Sequence, residues 1–312
     1  MLRYIVKRSL MLLTGIALIL TVAFFAIYRL PGDPARMILG PRASAETVAE
    51  FQRAAGLHER VTVQFARFSK RMITLDFGIS LTNRRPVADL LKERAAQTLL
   101  LIAYSLAILI LFGMCLPLLL RVARLAILDN LFRALWTGTA TAPPYVLAIV
   151  TLLVLAGWFG VLPAIFDPDQ LRCWIAAAFV LAAYPTALVS RLFFTALESS
   201  LNSDYAYRAR ALGFQERTVL LREALPNSVG APVSAAANGL AYFATGTFFV
   251  EVAFGVGGIG TLTYEAIRNK DVTVLAAVCL LFAIAISVVS AALELAQHLF
   301  DPQLRRRDGW FA

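Results

Sequence analysis

"WIAAAFVLAAYPTALVSRLFFTALESSLNSDYAYRARALGFQERTVLLREALP", residues 174–226, begins with an uncharged run from Trp174 to Ser190 and ends in a segment with six charges: Arg208, Arg210, Glu216, Arg217, Arg222 and Glu223. The apolar part, 174–197, is long enough to cross a hydrocarbon core about 30 Å thick, which takes about 20 residues. The charged part has to leave that core, because each ionised side chain there costs about 3 kcal/mol. Tyr205, Ala209 and Leu212 stand at i, i+4 and i+7, which predicts a short helix with an apolar stripe, ended by Gly213. A second helix is expected over 215–225, with Val219, Leu220 and Ala224 on one face and Pro226 as its stop. A membrane crossing that opens into a polar helical hairpin is therefore the unit from which the fold is read.

The rest of the chain extends the pattern. Of 312 residues, 59% are hydrophobic and 16% charged, and the mean hydropathy is +0.72, well outside the usual range of soluble domains. Further apolar runs lie at 10–27, 98–120, 134–155 and 276–299, and the Gly, Ala and Ser-rich stretch 229–254 has the small residues that let membrane helices approach closely. The expectation is an all-α polytopic membrane protein with six transmembrane helices: residues 1–30 as N-terminus and first span, 31–96 as an extracytoplasmic segment, and 97–312 as a five-span core with the hairpin at 203–226. The run at 10–27 is too long for a signal-peptide core of about 7–15 residues. Pro117, Pro143, Pro144 and Pro185 fall inside runs, as membrane helices tolerate.

Charge sets the expected orientation. Basic residues stand at Arg3, Lys7 and Arg8, at 121–133, in the hairpin and in the tail "DPQLRRRDGW". Basic short loops favour the cytoplasm, so both termini and the hairpin are expected there. The outer loop "GWFGVLPAIFDPDQ" holds no Lys or Arg. Segment 31–96 is basic, but long loops translocate largely regardless of charge. Within it, Ser44, Glu46 and the spacing of Val48, Phe51 and Ala55 predict a helix ended by Gly56, and a second from Glu59 that offers Val63, Phe65 and Phe68 for apolar contact.

Catalytic signatures are absent: there is no phosphate-binding G-x-x-x-x-G-K-[ST], no H-E-x-x-H and no nucleophile elbow. His58 and His298 stand alone, and Cys115, Cys173 and Cys279 lie in apolar runs without metal-site spacing. "GVGGIG", 255–260, lacks the βαβ context of a dinucleotide fingerprint and reads as a tight turn at the outer mouth. Arg191, Glu198, Glu251 and Glu294 lie near span ends, where they are expected to reach water, so no buried proton relay of a secondary transporter is visible. Energy then has to come from a partner. A receptor or scaffold whose hairpin docks a soluble protein is the alternative from another class.

The hairpin resembles the EAA loop of ABC importer permeases, and its "DYAYRARALG", 204–213, is similar to the D-Y-x-x-x-A-R-A-x-G of the dipeptide, oligopeptide and nickel branch. "RLPGDP", "GLHERVTVQFARF", "LDFGISLTNRRPVADLL", "GWFGVLP", "VEVAFGVGGIG" and "FDPQLRRR" resemble the B-type subunit of that branch in the same order, with Gly255, Val256 and Gly257 where Trp-Pro-Gly is usual. The resemblance implies a non-catalytic permease of a type I importer in the bacterial inner membrane, with a second permease subunit, two cytoplasmic ATPases and a substrate-binding protein as partners. No nucleic acid is implied. ATP and magnesium belong to the ATPases, so this chain needs no cofactor or metal. On this reading Asp204, Tyr205, Arg208, Ala209, Arg210, Leu212, Gly213, Arg217 and Arg222 couple to the ATPase. Glu251, Gly255, Gly257, Gly258 and Gly260 form the turn offered to the binding protein. Peptides, nickel chelates and glutathione are all cargo types that the resemblance allows.

Overall fold

The computed structural model describes residues 2–28, 44–54, 58–123, 125–163 and 165–300; side chains are not described at 2–9, 11, 12, 26, 27, 51, 54, 126 and 292–300. The expectations for "RLPGDP", Gly56, Glu294, His298 and the basic tail therefore lie outside the description, as do the side chains of Arg3, Lys7 and Arg8. In chain order the helices are α1 (Leu2–Tyr28), α2 (Ala45–Ala54), α3 (Val61–Ile73), α4 (Val87–Ile110), α5 (Leu116–Val122), α6 (Ala126–Thr141), α7 (Pro144–Leu152) and α8 (Leu171–Leu201). They continue with α9 (Asp204–Ala211), α10 (Glu216–Thr218), α11 (Leu225–Ser228), α12 (Gly230–Phe254), α13 (Ile259–Arg268) and α14 (Val272–Phe300). Among the described residues the one β feature is an isolated bridge between Ile79 and Pro86.

Proline placement explains two of the three wider π turns among the described residues; the third, Leu153–Trp158, has no proline directly after it. Wider π turns at Leu111–Cys115 and Val219–Ala224 precede Pro117 and Pro226. In each, the N–H just before the proline reaches five residues back, from Leu116 to the Leu111 carbonyl and from Leu225 to the Leu220 carbonyl. The extra residue in the turn makes room for a ring that lacks an N–H and would otherwise clash with the preceding turn. Consequently Pro226 does not stop the hairpin's second helix, as expected from sequence; the helix passes through it to Ser228.

The run at 134–155 is not one straight span. Ala142 and Pro143 are extended (ψ 137° and 141°), and the two helices on either side meet at 113°. Each residue before a proline is pushed out of the α region, and two such residues in succession break the helix. Four helices are long and apolar enough to cross a membrane among the described residues, Val87–Val122, Leu171–Leu201, Gly230–Phe254 and Val272–Ala291, or five if the bent pair is one span. The described apolar part of α1 is Leu13–Phe25, so among the described residues four to five crossings are shown and not the expected sixth.

The chain divides into two compact units. Residues 1–96 with 261–287 form the first. Here α1 meets α3 through Phe24, whose ring lies 5.3 Å from Phe65 and 5.7 Å from Phe68, as the apolar spacing of α3 anticipated. Ser44 receives the Thr47 N–H at 3.2 Å and so caps α2. Asp271, 2% exposed, caps α14: one carboxylate oxygen accepts the Val274 N–H at 3.2 Å, and the other accepts the Ser80 hydroxyl at 2.5 Å and the Thr82 N–H at 3.1 Å. Asp271→Ala should therefore cost about 2 kcal/mol, and amide hydrogen exchange should rise together at residues 80–84 and at the start of α14. Exchange that rose at only one of these segments would contradict the shared carboxylate.

In the second unit, 97–260 with 288–312, α8 is the central helix, packed against α6 and α12. Its Ala177, Leu181 and Val189 share a buried cluster with Leu101 and Leu109 of α4 and Phe243 and Val250 of α12.

Candidate functional site

The hairpin is built by α9, a tight turn, and the segment running from α10 to α11. Ala206 and Ala209 on α9 and Val219, Leu220 and Ala224 on the π turn pack against Phe193, Leu197 and Leu201 at the end of α8. Val219, Leu220 and Ala224 thus share the expected face. On α9, by contrast, the inward residues are Ala206 and Ala209, while Tyr205 and Leu212 of the expected stripe are 37% and 68% exposed. Packing decides this: only alanine is small enough for the close approach of α9 to the end of α8, so the larger residues of the stripe turn outward.

Gly213 ends α9 with φ +84°, while its N–H bonds the Arg210 carbonyl at 2.9 Å and the Phe214 N–H bonds the Ala209 carbonyl at 3.2 Å. These are the paired bonds of a Schellman motif, whose left-handed residue favours glycine. A Cβ at Gly213 would meet nothing within 4 Å, so the backbone angle alone imposes the requirement. Gly213→Ala should cost about 1 kcal/mol, seen as faster amide exchange confined to 207–218; no change there would contradict the motif.

The arginines of the hairpin divide into two groups. Arg210 faces inward on its own hairpin. Its Nε donates to Glu216 Oε1 at 2.8 Å, its Nη1 donates to the Leu201 carbonyl at 2.9 Å, and its guanidinium lies 5.6 Å from the Tyr207 ring. The hydrogen-bonded Glu216 carboxylate raises the Arg210 pKa further above its ordinary value, so the cation is permanent. Arg208, Arg217 and Arg222 are exposed, as are Leu212 and Phe214 at 68% and 50%; Asp204 is exposed in the first turn of α9.

A cavity of about 460 Å³ opens at the base of the hairpin, lined in part by Arg121, Asp129, Glu198, Asn202 and Arg217. Asp129 is 3% exposed and accepts Arg133 Nη2 at 2.7 Å, while the Arg133 guanidinium stacks 3.7 Å from the Phe194 ring centre. The i, i+4 spacing of Asp129 and Arg133 within 126–141 was the available signal for this pair.

At the other end of α12, about 37 Å along a helix of 25 residues, lies the glycine turn. Glu251 is fully buried there, contrary to the expectation that it reaches water. Its Oε1 accepts the Thr98 hydroxyl at 2.7 Å and its Oε2 the Gly260 N–H at 2.7 Å, while Thr98 Oγ1 accepts the Ile259 N–H at 2.8 Å. A buried carboxylate is tolerable only with such partners. The sequence reading missed Thr98, which looked like the edge of an apolar run.

Close approach explains the glycines. A Cβ on Gly258 would overlap the Glu251 carboxylate, and one on Gly260 would stand 2.7 Å from the Phe248 Cα, a backbone atom that cannot rotate away. Gly255 ends α12 at φ +77°. The turn residues named from sequence therefore come together with Glu251 as their internal brace.

Comparison with known proteins places this geometry. The glutathione transport system permease proteins GsiC of Escherichia coli (strain K12) and Shigella boydii serotype 4 (strain Sb227) are each 28% identical over 305 residues, covering 98% of this chain and 99% of theirs. A crystal structure of an amino acid ABC transporter with histidines shares the fold at a TM-score of 0.51 and 15% identity, over 68% of this chain and 94% of that one. Residues 1–102 match the N-terminal part of the binding-protein-dependent transport system membrane components. Residues 110–306 match the binding-protein-dependent transport system inner membrane component, and the chain belongs to that family of non-catalytic transport subunits.

Proposed function

We propose that this chain, a permease of a binding-protein-dependent ABC importer, works with a second, similar permease subunit, two ATPases and a substrate-binding protein, and that its solute is small and peptide-like. The observation that carries the reading is the division of the hairpin: Arg210 is consumed inside, whereas Arg208, Arg217 and Arg222, and the apolar Leu212 and Phe214, are left exposed. Such a surface suits a soluble partner with an apolar floor and an acidic rim, because charge-assisted bonds orient and apolar contact holds. The basic loops favour both termini and the hairpin on the cytoplasmic side, where an ATPase is found.

The hairpin lies directly on the end of α8, so a rigid-body movement of the ATPase would be passed into the core of the spans. At the far end of α12 the outer part of the braced turn, exposed Gly255 and half-buried Gly257, is what would be offered to the binding protein. The glutathione permeases among the relatives favour a peptide-like cargo; a nickel chelate is the second cargo class compatible with the motifs. The experiment is affinity purification of the tagged chain from its native membrane. The expected result is a complex containing a P-loop ATPase and a second permease, whose hydrolysis is stimulated by the binding protein. A chain that purifies without any ATPase under conditions preserving the membrane assembly would overturn the reading.

A further inference from the structure

We propose that a polar strip along the seam of α8 and α12 is a solute-facing wall of the translocation path and that it receives a solute bearing a carboxylate. The strip consists of Tyr184 and Arg191 on α8 and Asn238, Tyr242 and Thr245 on α12. It rests on the importer reading above.

The seam itself is tight. A Cβ at Gly246 would stand 2.8 Å from Leu181 Cδ1, and one at Gly239 would stand 3.2 Å from Pro185 Cβ, so α8 and α12 run antiparallel in close contact. Beside that contact polar groups interrupt the apolar surface, which still holds Leu188 and Val233 at 38% and 43% exposure. Asn238, Tyr242 and Thr245 stand at i, i+4 and i+7, and Tyr184 and Arg191 at i and i+7, which puts each set on one side of its helix. The two sets join where the Tyr184 and Tyr242 rings lie 5.2 Å apart. Tyr242 is at the midpoint of the 25-residue α12, and Tyr184 lies within about 3 Å, along the axis, of the midpoint of the 31-residue α8.

The strip is open. Tyr184 is 47% exposed, Arg191, Asn238 and Thr245 are exposed, and Tyr242 is half-buried. The Tyr184 and Tyr242 hydroxyls, the Arg191 guanidinium and the Asn238 amide have no hydrogen bond or ion pair with another described residue. In hydrocarbon such groups would be costly, so polar side chains at this depth face water, a polar partner or a solute. Charge then selects among solutes. Arg191 lies toward the hairpin end of the strip, and neither α8 nor α12 carries an acidic residue over 171–197 or 230–250. Glu198 stands seven residues farther along the same side of α8 but makes no ion pair with Arg191; an unpaired cation at one mouth and hydroxyl and amide groups at the centre complement a carboxylate and the amide groups of a peptide-like molecule.

The test uses the full transporter in proteoliposomes, with Cys115, Cys173 and Cys279 replaced and a single cysteine introduced as Asn238→Cys or Thr245→Cys. The probes are two water-soluble thiol reagents of opposite charge, the anionic sulfonatoethyl and the cationic trimethylammonioethyl methanethiosulfonate. Ile110→Cys, at an exposed apolar position of α4, is the lipid-facing control. The strip cysteines should react about tenfold faster than this control. After correction for the reagents' intrinsic rates, they should favour the anionic reagent by about tenfold, a preference lost in Arg191→Gln. Reaction no faster than at Ile110→Cys, or no preference for the anion, overturns the proposal. Binding-protein-stimulated ATP hydrolysis is measured in the same vesicles: its presence beside an unreactive strip sinks the path alone, and its absence sinks the importer reading.

Discussion

Glu251→Leu is expected to lower the stability of the 97–260 unit by about 3–5 kcal/mol, because it leaves the Thr98 hydroxyl and the Gly260 N–H buried without a partner and fills a space shaped for a carboxylate. Glu251→Gln should cost less, about 1–2 kcal/mol, since an amide keeps one acceptor oxygen but sets an N–H group against a second donor. The readouts are thermal unfolding of the assembled transporter in lipid nanodiscs and amide exchange at 255–260. Exchange in the turn should rise before the rest of the unit opens. Equal stability of the leucine variant and the parent would show that the carboxylate is not the brace of the turn.

The second large effect concerns the hairpin surface. Reversing Arg208 and Arg217 together to glutamate should reduce recovery of the partner ATPase at least about tenfold while leaving membrane insertion unchanged. Both side chains are exposed and make no ion pair within the chain, although Arg217 also lines the cavity at the base of the hairpin, and glutamates there would confront like charge on the acidic rim proposed for the partner. Gly213→Pro should have the same effect by another route: proline holds φ near −65° where +84° is required, and it removes the N–H that bonds the Arg210 carbonyl. Arg210→Ala is the instructive contrast. It should loosen the hairpin, read as faster exchange over 204–218, because its bonds run to Glu216 and Leu201. Full recovery of the ATPase with the double glutamate variant would remove the support for docking through this surface.

Much of this was legible in the sequence because lipid makes hydropathy decisive. The apolar run at 174–197, the turn at Gly213 and the inward face of Val219, Leu220 and Ala224 could be read from spacing, and so could the Phe65 and Phe68 contacts of α3. Apolar periodicity failed on α9. There Ala209 of the stripe is buried as expected, but Tyr205 and Leu212 are exposed and Ala206, outside the stripe, is the second inward residue. Proline was misread in both directions. Pro226 is absorbed by a π turn, whereas the pair Pro143 and Pro144 breaks a run that hydropathy alone reads as continuous.

Glu251 was placed in the right turn and given the wrong surroundings. Its partners Thr98 and Gly260 are a side chain far away in sequence and a backbone N–H, neither of which carries a local signal. The same reasoning applies to Arg210, which only the folded hairpin separates from Arg208 and Arg217. A linear motif names the segment; the division of its arginines between brace and contact surface depends on which of them find an internal acceptor.

The central claim is that the chain imports its solute only when a partner hydrolyses ATP. Its most direct test is uptake into proteoliposomes holding the purified transporter and its binding protein, with the P-loop lysine of the ATPase intact or replaced. Solute accumulation with the intact ATPase and none with the inactivated one is the predicted result; accumulation that persists after inactivation would contradict the account.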